Sequence, residues 1–506
     1  MTRSRWPSIG RGFGRVLLAI AVVPVVAATG SPASAAGAAH PDFNGDGFAD
    51  LAIGAQGENG GRGVVHVLFG SRSGPRGDGS LVFGQNSGAV PGTSEAGDLF
   101  GAVLATGDLN RDGFDDLVVG APGDREGRAA GAGTVTVFYG SRTGPQLDGQ
   151  LLSENVGDTP GTAEPFDQFG NALAIGDFTG DGFDDLAVGV TFDEVAGQTA
   201  AGSVRIYRGR DGQRLDIFGV TAITRTSIGF GPPHAFDAFG ASLATLDDGG
   251  PRVGLAIGTP GFDVPGTRDA GAVFTVRGTE SGPVGAARLL DPTPRAGTEM
   301  GWSVAAGDLD EDGIDDVAIG AFRSGGQRGA VIVSALTGSR RAAGRVQRIT
   351  QDTAGVAGTA APGDAFGYAL TIVDDPGGHT YLHVGVPGDR VGGIDAAGTV
   401  NVFASTASLL ALDPLFLVSA ATRSDGANFG LQLTALDAQG DGGTDVVVGA
   451  PGEMVNGAFA AGAVYVYDSE TDRPVRTGAV RITQDTGGVP DHAEPGDFFG
   501  ATLPFT

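Results

Sequence analysis

The sequence predicts an all-β fold, a seven-bladed β-propeller of four-stranded blades whose ring is closed by the C-terminal strand. Three observations carry that expectation. An aromatic–glycine pair recurs as Phe100-Gly101, Phe169-Gly170, Phe239-Gly240, Phe366-Gly367, Phe429-Gly430 and Phe499-Gly500, with Met300-Gly301 as a variant. An aspartate follows each of the first six copies by eight residues, at Asp108, Asp177, Asp247, Asp308, Asp374 and Asp437. Between these landmarks lie short apolar runs rich in valine and isoleucine and bounded by glycine, the pattern of buried strands rather than helices. Four such runs in each recurring unit of sixty to seventy residues match one propeller blade.

The chain begins with a targeting pattern. Arg3, Arg5, Arg11 and Arg15 form a positive region, Val16 to Ala28 is apolar, and Ala33-Ser34-Ala35 has the small-x-small form of a cleavage site. The apolar run contains Pro24 and is short for a bilayer span. Residues 1–35 are therefore expected to be a signal peptide and residues 36–506 the propeller, exported and without a membrane span after cleavage.

Acidic nonapeptides come next. Asp108-Leu-Asn-Arg-Asp-Gly-Phe-Asp-Asp116 sets oxygen side chains at positions 1, 3, 5 and 9 and a glycine at position 6. Calcium accepts six to eight oxygens, so the pattern suits that ion, although the helical calcium loop closes at position 12 instead. Five copies give the candidate ligands: Asp42, Asn44, Asp46 and Asp50; Asp108, Asn110, Asp112 and Asp116; Asp177, Thr179, Asp181 and Asp185; Asp308, Asp310, Asp312 and Asp316; Asp437, Gln439, Asp441 and Asp445. The bland alternative is an Asp/Gly hairpin capped by its own side chains. The loops opening at Asp247 and Asp374 lose positions 3, 5 and 9 and are expected to hold no metal. Carboxylate count ranks the rest: the Asp308 loop tightest, the Asn44 and Asn110 loops next, the Thr179 and Gln439 loops weakest.

Each unit then reads as a first strand such as 100–107, the acidic loop, and a second strand ending in Gly-Ala-Pro-Gly or a variant. An alternating third strand follows, such as Gly133-Thr-Val-Thr-Val-Phe-Tyr139, and a weak fourth. The first unit lacks its opening strand, and Phe499-Gly-Ala-Thr-Leu-Pro504 is an opening strand with no loop after it. Joining the two closes seven blades and removes exposed sheet edges.

Phe-Gly, the DxNxDGxxD loop and Gly-Ala-Pro, in that order across residues 41–506, resemble the FG-GAP repeats of the integrin α-subunit propeller and of secreted bacterial proteins. The resemblance implies calcium in the loops between first and second strands. It also implies that the carbonyl at position 7 joins the ligands, which here means Phe48, Phe114, Phe183, Ile314 and Gly443. It further implies a recognition or adhesion scaffold. The family usually carries three or four such loops, mostly in consecutive late blades, whereas this chain has five spread around the ring and Met300 in place of one Phe, which weakens the transfer of an integrin-like ligand surface.

Composition narrows the function classes. The chain has 506 residues, a net charge of −27, no cysteine and 91 glycines. Acidity argues against a nucleic-acid partner, and the lack of cysteine removes disulfides and thiolate metal sites. Arg76-Gly77-Asp78 reads as a turn rather than an adhesion tripeptide, because Gln146-Leu147-Asp148 stands in its place one unit on. His379 and His383 are expected to be satisfied structural or surface histidines. No nucleophile elbow or phosphate loop is present. The expectation is thus a monomeric, extracellular calcium-binding scaffold that is not an enzyme, with no cofactor other than Ca2+. Its ligand would be an unidentified protein or glycan, captured on variable connections such as 158–167, 230–237 and 485–497. An extracellular hydrolase or lyase acting on polysaccharide or phosphoester is the alternative.

Overall fold

The computed structural model describes residues 41–247, 252–279, 283–337, 342–374, 379–412, 416–418, 420, 424–440, 442–468 and 479–504. The expected signal peptide, Asp441, and most of the two defective loops (248–251 and 375–378) lie outside them.

Seven antiparallel sheets follow one another along the chain, each an up-and-down meander. Blade 2 shows the plan: Val103–Gly107, Asp116–Ala121, Thr134–Phe138 and Gln150–Leu152 pair in that order. The seven blades form the propeller that the repeat spacing predicts. Blade 1 contributes Leu51–Ala55, Val64–Phe69 and Arg76–Phe83. Its innermost strand is supplied from the other end of the chain: Gly54 N donates to Thr502 O at 2.9 Å and Gly500 N to Gly54 O at 3.1 Å. Phe499 and Leu503 pack in one apolar cluster with Leu51 and Ile53 of blade 1 and Val447 and Val464 of blade 7. The chain ends meet as expected.

The first strand of blade 3 begins at Phe169 as expected, but those of blades 2 and 4 begin later, at Val103 and Ser242. In blade 2 the strand starts at Val103, not Phe100, because Gly101 sits at φ +84° and Ala102 N turns back to Leu99 O at 2.9 Å. The aromatic–glycine pair thus serves the blade interface. In every blade the glycine that ends the second strand faces the paired glycine of the next blade: Gly54 meets Gly101, Gly120 meets Gly170, and so round to Gly449, which meets Gly500. A Cβ on Gly385 would overlap the Gly430 carbonyl, so two backbones touch where any side chain would hold them apart. These seven contacts draw the sheets to a common axis.

Two rims result. The acidic loops join first to second strands on one rim. The 2–3 connections and the connections entering each blade lie on the other.

Candidate metal-binding loops

Each acidic loop is folded by its own carboxylates. The position-1 aspartate accepts the N–H of the position-6 glycine in all five copies: Gly47 at 2.8 Å, Gly113 at 3.0 Å, Gly182 at 2.9 Å, Gly313 at 2.9 Å and Gly442 at 2.8 Å. Position 5 accepts the N–H of position 7, as Asp46 does from Phe48 at 3.1 Å and Asp312 from Ile314 at 3.0 Å. Position 4 takes positive φ in each, whether Gly45, Arg111, Gly180, Glu311 or Gly440.

The position-9 aspartate does two jobs. It is fully buried in every copy. Asp116 accepts Leu109 N at 3.0 Å from its own loop and Gly140 N at 2.9 Å from the end of the third strand. Asp50 takes Phe43 and Gly70, Asp185 takes Thr179 and Gly209, and Asp316 takes Leu309 and Leu336 in the same way. Those N–H groups favour the carboxylate, yet burial outweighs them and neighbouring aspartates add to it. Asp50 and Asp116 are pushed up to about 8, Asp185 and Asp316 to about 7. Four buried acids with that bias lack positive charge close by.

Position 3 tests whether a cation fits. Asp310 Oδ1, Thr179 Oγ1 and Gln439 Oε1 are each buried without a hydrogen-bond partner. Position 3 in the remaining loops, Asn44 and Asn110, turns its Oδ1 to the position-5 N–H, at 2.8 and 3.0 Å. Asp308, Asp310 and Asp316 bring one oxygen each to within 4.8 Å of the others. An oxygen donor aimed inward beside converging carboxylates is what a hard cation requires, and the residues present fit calcium. Asp441 falls outside the described residues, so the fifth loop is seen only in part.

Sequence reasoning missed position 8. Asp115 Oδ2 accepts the N–H of Asp42 at 2.8 Å, and Asp115 N returns to Asp42 O at 3.1 Å. Asp315 clasps Asp247 likewise, at 2.6 and 3.0 Å, and Thr444 Oγ1 reaches Asp374 O at 3.0 Å. Position 8 of one loop therefore holds position 1 of the loop before it. The repeated Asp-Asp at 115–116, 184–185 and 315–316 was the available signal.

Other expectations meet a mixed outcome. Arg76–Phe83 is a strand, so Arg-Gly-Asp lies on a blade's outer edge rather than in a turn. His379 is exposed, a surface histidine as expected, whereas His383 is buried with neither ring nitrogen in a hydrogen bond, which corrects the expectation for that residue; His66 is buried in the same way. Burial pulls His66 and His383 down to about 4. Trp302 packs among Phe322, Tyr368 and Leu431 in the interior. Exposed aromatics are Phe166 and Phe459, in connections on the rim opposite the acidic loops, and Phe218, in the outer strand Asp216–Ile223; Met454 is exposed too.

The FG-GAP repeat family matches residues 28–68, 100–138, 169–207 and 300–334. The chain carries FG-GAP repeats arranged as an integrin-like propeller. It is 43% identical over 116 residues to phosphatidylinositol-glycan-specific phospholipase D of Rattus norvegicus, covering 23% of this chain and 14% of the relative. The Mus musculus phospholipase D is 34% identical over 177 residues, covering 35% and 20%. Integrin alpha pat-2 of Caenorhabditis briggsae is 29% identical over 253 residues, covering 45% and 18%. The chain spans a fifth or less of these relatives. Among solved structures, the Pseudomonas aeruginosa periplasmic gluconolactonase PpgL is similar at 14% identity and a TM-score of 0.45, covering 86% of this chain and 96% of that one.

These relatives correct one expectation. The lack of a familiar nucleophile motif predicts a chain that is not an enzyme, yet repeats like these occur in proteins named as a phospholipase D. A propeller of this type is therefore no argument against catalysis. Fold and repeat type alone do not decide function, which must be argued from a site.

Proposed function

We propose that the chain is an exported, calcium-stabilised FG-GAP propeller that recognises an extracellular protein or glycan on the rim opposite its metal loops. The observation that carries this reading is the fully buried position-9 carboxylate of every copy, joined in three of the five loops by an unpartnered buried oxygen at position 3 and in the Asp308 loop by three converging carboxylates. Calcium would be held by positions 1, 3, 5 and 9 and by the position-7 carbonyl. Its charge would let the buried position-9 acids stay ionised while they tie the loop to the third strand. On the opposite rim, connections on a rigid scaffold carry recognition, and Phe166 and Phe459 supply exposed apolar contact.

Calcium titration of the chelator-stripped protein tests the first half: several ions should bind, and a protein that takes up none ends the reading. Capture from extracellular and cell-wall material with and without chelator tests the second. Calcium-dependent retention of one protein or glycan supports it. A second reading, hydrolysis of a phosphoester, is favoured by the phospholipase D relatives. Release of the lipid anchor from a glycosylphosphatidylinositol substrate by the purified chain would favour it over capture.

A further inference from the structure

Where the connection entering a blade meets that blade's own 2–3 connection, acids gather on the rim away from the nonapeptide loops. Blade 3 shows how their charge is met. Glu154, Glu164 and Asp167 come from the entering connection and Asp193 from the 2–3 connection. Arg205, in the strand Ser203–Arg208, is almost wholly buried between them. Its Nη2 donates to Glu154 Oε1 at 2.7 Å and to Asp193 Oδ2 at 3.0 Å. In blade 7, Arg481 pairs with Glu453 at 2.7 Å. A protein cation occupies these two clusters, whereas in blade 2 the matching Asp124 is met by the Gln85 amide and the Thr134 hydroxyl, and Arg125 reaches Glu95 only at the surface.

Blade 1, at the seam where the ring closes, keeps the acids and omits the arginine. Counting from the aromatic–glycine pair, Glu494 stands in the place of Glu164, Asp497 in that of Asp167 and Gln484 in that of Glu154. Glu58 takes the place of Asp193, and His66 that of Arg205. Glu58, Glu494 and Asp497 bring one oxygen each to within 4.8 Å of the others. Glu58 and Asp497 are both 3% exposed. Gln484 is 1% exposed and points into the same cluster: its Nε2 donates to Glu58 Oε2 at 3.0 Å, and its Oε1 is buried without a partner. Among the described residues no arginine pairs with these three acids.

We infer that this seam cluster is a further divalent-cation site, separate from the nonapeptide loops, with Glu58, Asp497 and Glu494 as carboxylate ligands. Gln484 adds an amide oxygen, since a half-turn about χ3 exchanges its O and N. An all-oxygen set selects a hard ion such as calcium, magnesium or manganese. The ion would do at blade 1 what the Arg205 guanidinium does at blade 3. It would also add to the hydrogen bonds that tie the chain's C-terminal connection to the first blade, from Gly57 N to Asp497 O and from Gln484 Nε2 to Glu58 Oε2.

Crystals of the full chain soaked in Mn2+ give the direct test. An anomalous peak within coordination distance of Glu58, Glu494 and Asp497 is expected. Manganese confined to the nonapeptide loops, or absent from the map, would overturn the site. In solution, electron paramagnetic resonance counts bound Mn2+. The paired change Glu494→Gln, Asp497→Asn should lower the count by one with an unchanged circular dichroism spectrum, and an unchanged count sinks the proposal. Asp308→Asn, on the other rim, reports on the nonapeptide loops by itself, so a failure there is distinguishable from a failure at the seam.

Discussion

Position 3 of the nonapeptide decides how much charge each loop offers an ion. Asp310 brings a carboxylate, Asn44 and Asn110 an amide, and Thr179 and Gln439 a neutral oxygen that is buried and unpartnered. Calcium affinity should therefore fall more on Asp310→Ala than on Gln439→Ala, since ligand charge tunes such sites. Calorimetric titration of the two variants checks it, and a larger loss for Gln439→Ala would reverse the ranking. Another buried residue sets a pH dependence. His383 is neutral in the fold, with its protonation held down to about 4 by burial. In the unfolded chain it protonates near 6.5. Between those values the unfolded state binds the extra proton, so stability is present above the unfolded value and is lost as pH falls towards 4. His383→Leu should remove that slope: relative to the variant, the native protein should lose about 3 kcal/mol between pH 7 and pH 4. Chemical denaturation of both proteins at the two pH values measures the difference, and parallel curves would show that His383 does not titrate there. The environments of His66 and His383 were not legible, because a histidine in an alternating strand reads the same whether or not its nitrogens find partners.

At the scale of single elements, the loops and strands are held by contacts that run from blade to blade. Asp115 is in blade 2, but its carboxylate serves the backbone of Asp42 in blade 1. Asp115→Ala should thus weaken calcium binding in the neighbouring loop, whose ligand Asp42 it holds through the backbone. Losing one charged hydrogen bond corresponds to about 2 kcal/mol. A titration in which only the Asp108 loop weakens would show that adjacent loops are independent. Glycines provide the second blade-to-blade contact. Gly385→Ala would drive a methyl into the Gly430 carbonyl, at about 1–3 kcal/mol of overpacking or more. Gly393→Ala, at φ +91° in open space, carries only backbone strain of about 1–2 kcal/mol. Thermal melts should rank the two in that order. Repeat spacing, loop register and strand order were all legible, since each rests on local pattern. The purpose of Phe100-Gly101 was not. Its aromatic and its positive-φ glycine meet another blade, and a contact across some fifty residues leaves no local periodicity to read.

For the whole molecule, one joint decides whether seven similar sheets become a ring. Every other blade is built from strands that are neighbours in sequence, while blade 1 must wait for residues 499–503 to arrive from the far end of the chain. That non-local pairing has the largest loop-closure cost in the fold, and its return comes only when Gly54 N meets Thr502 O and Phe499 and Leu503 enter the apolar cluster between blades 7 and 1. Full burial of those two side chains is worth about 3–6 kcal/mol, a large part of a domain's net stability. Without them, the inner edge of Leu51–Ala55 and one face of blade 7 are open to other chains. A chain ending at residue 496 should therefore unfold at lower denaturant and self-associate, as light scattering or sedimentation would report. Calcium should raise its midpoint less than that of the full chain, because the Asp42 loop sits directly on the unclosed blade. A truncated protein that stays monomeric with an unchanged calcium shift would mean that six blades and a half suffice, and that the C-terminal strand covers the ring rather than closes it.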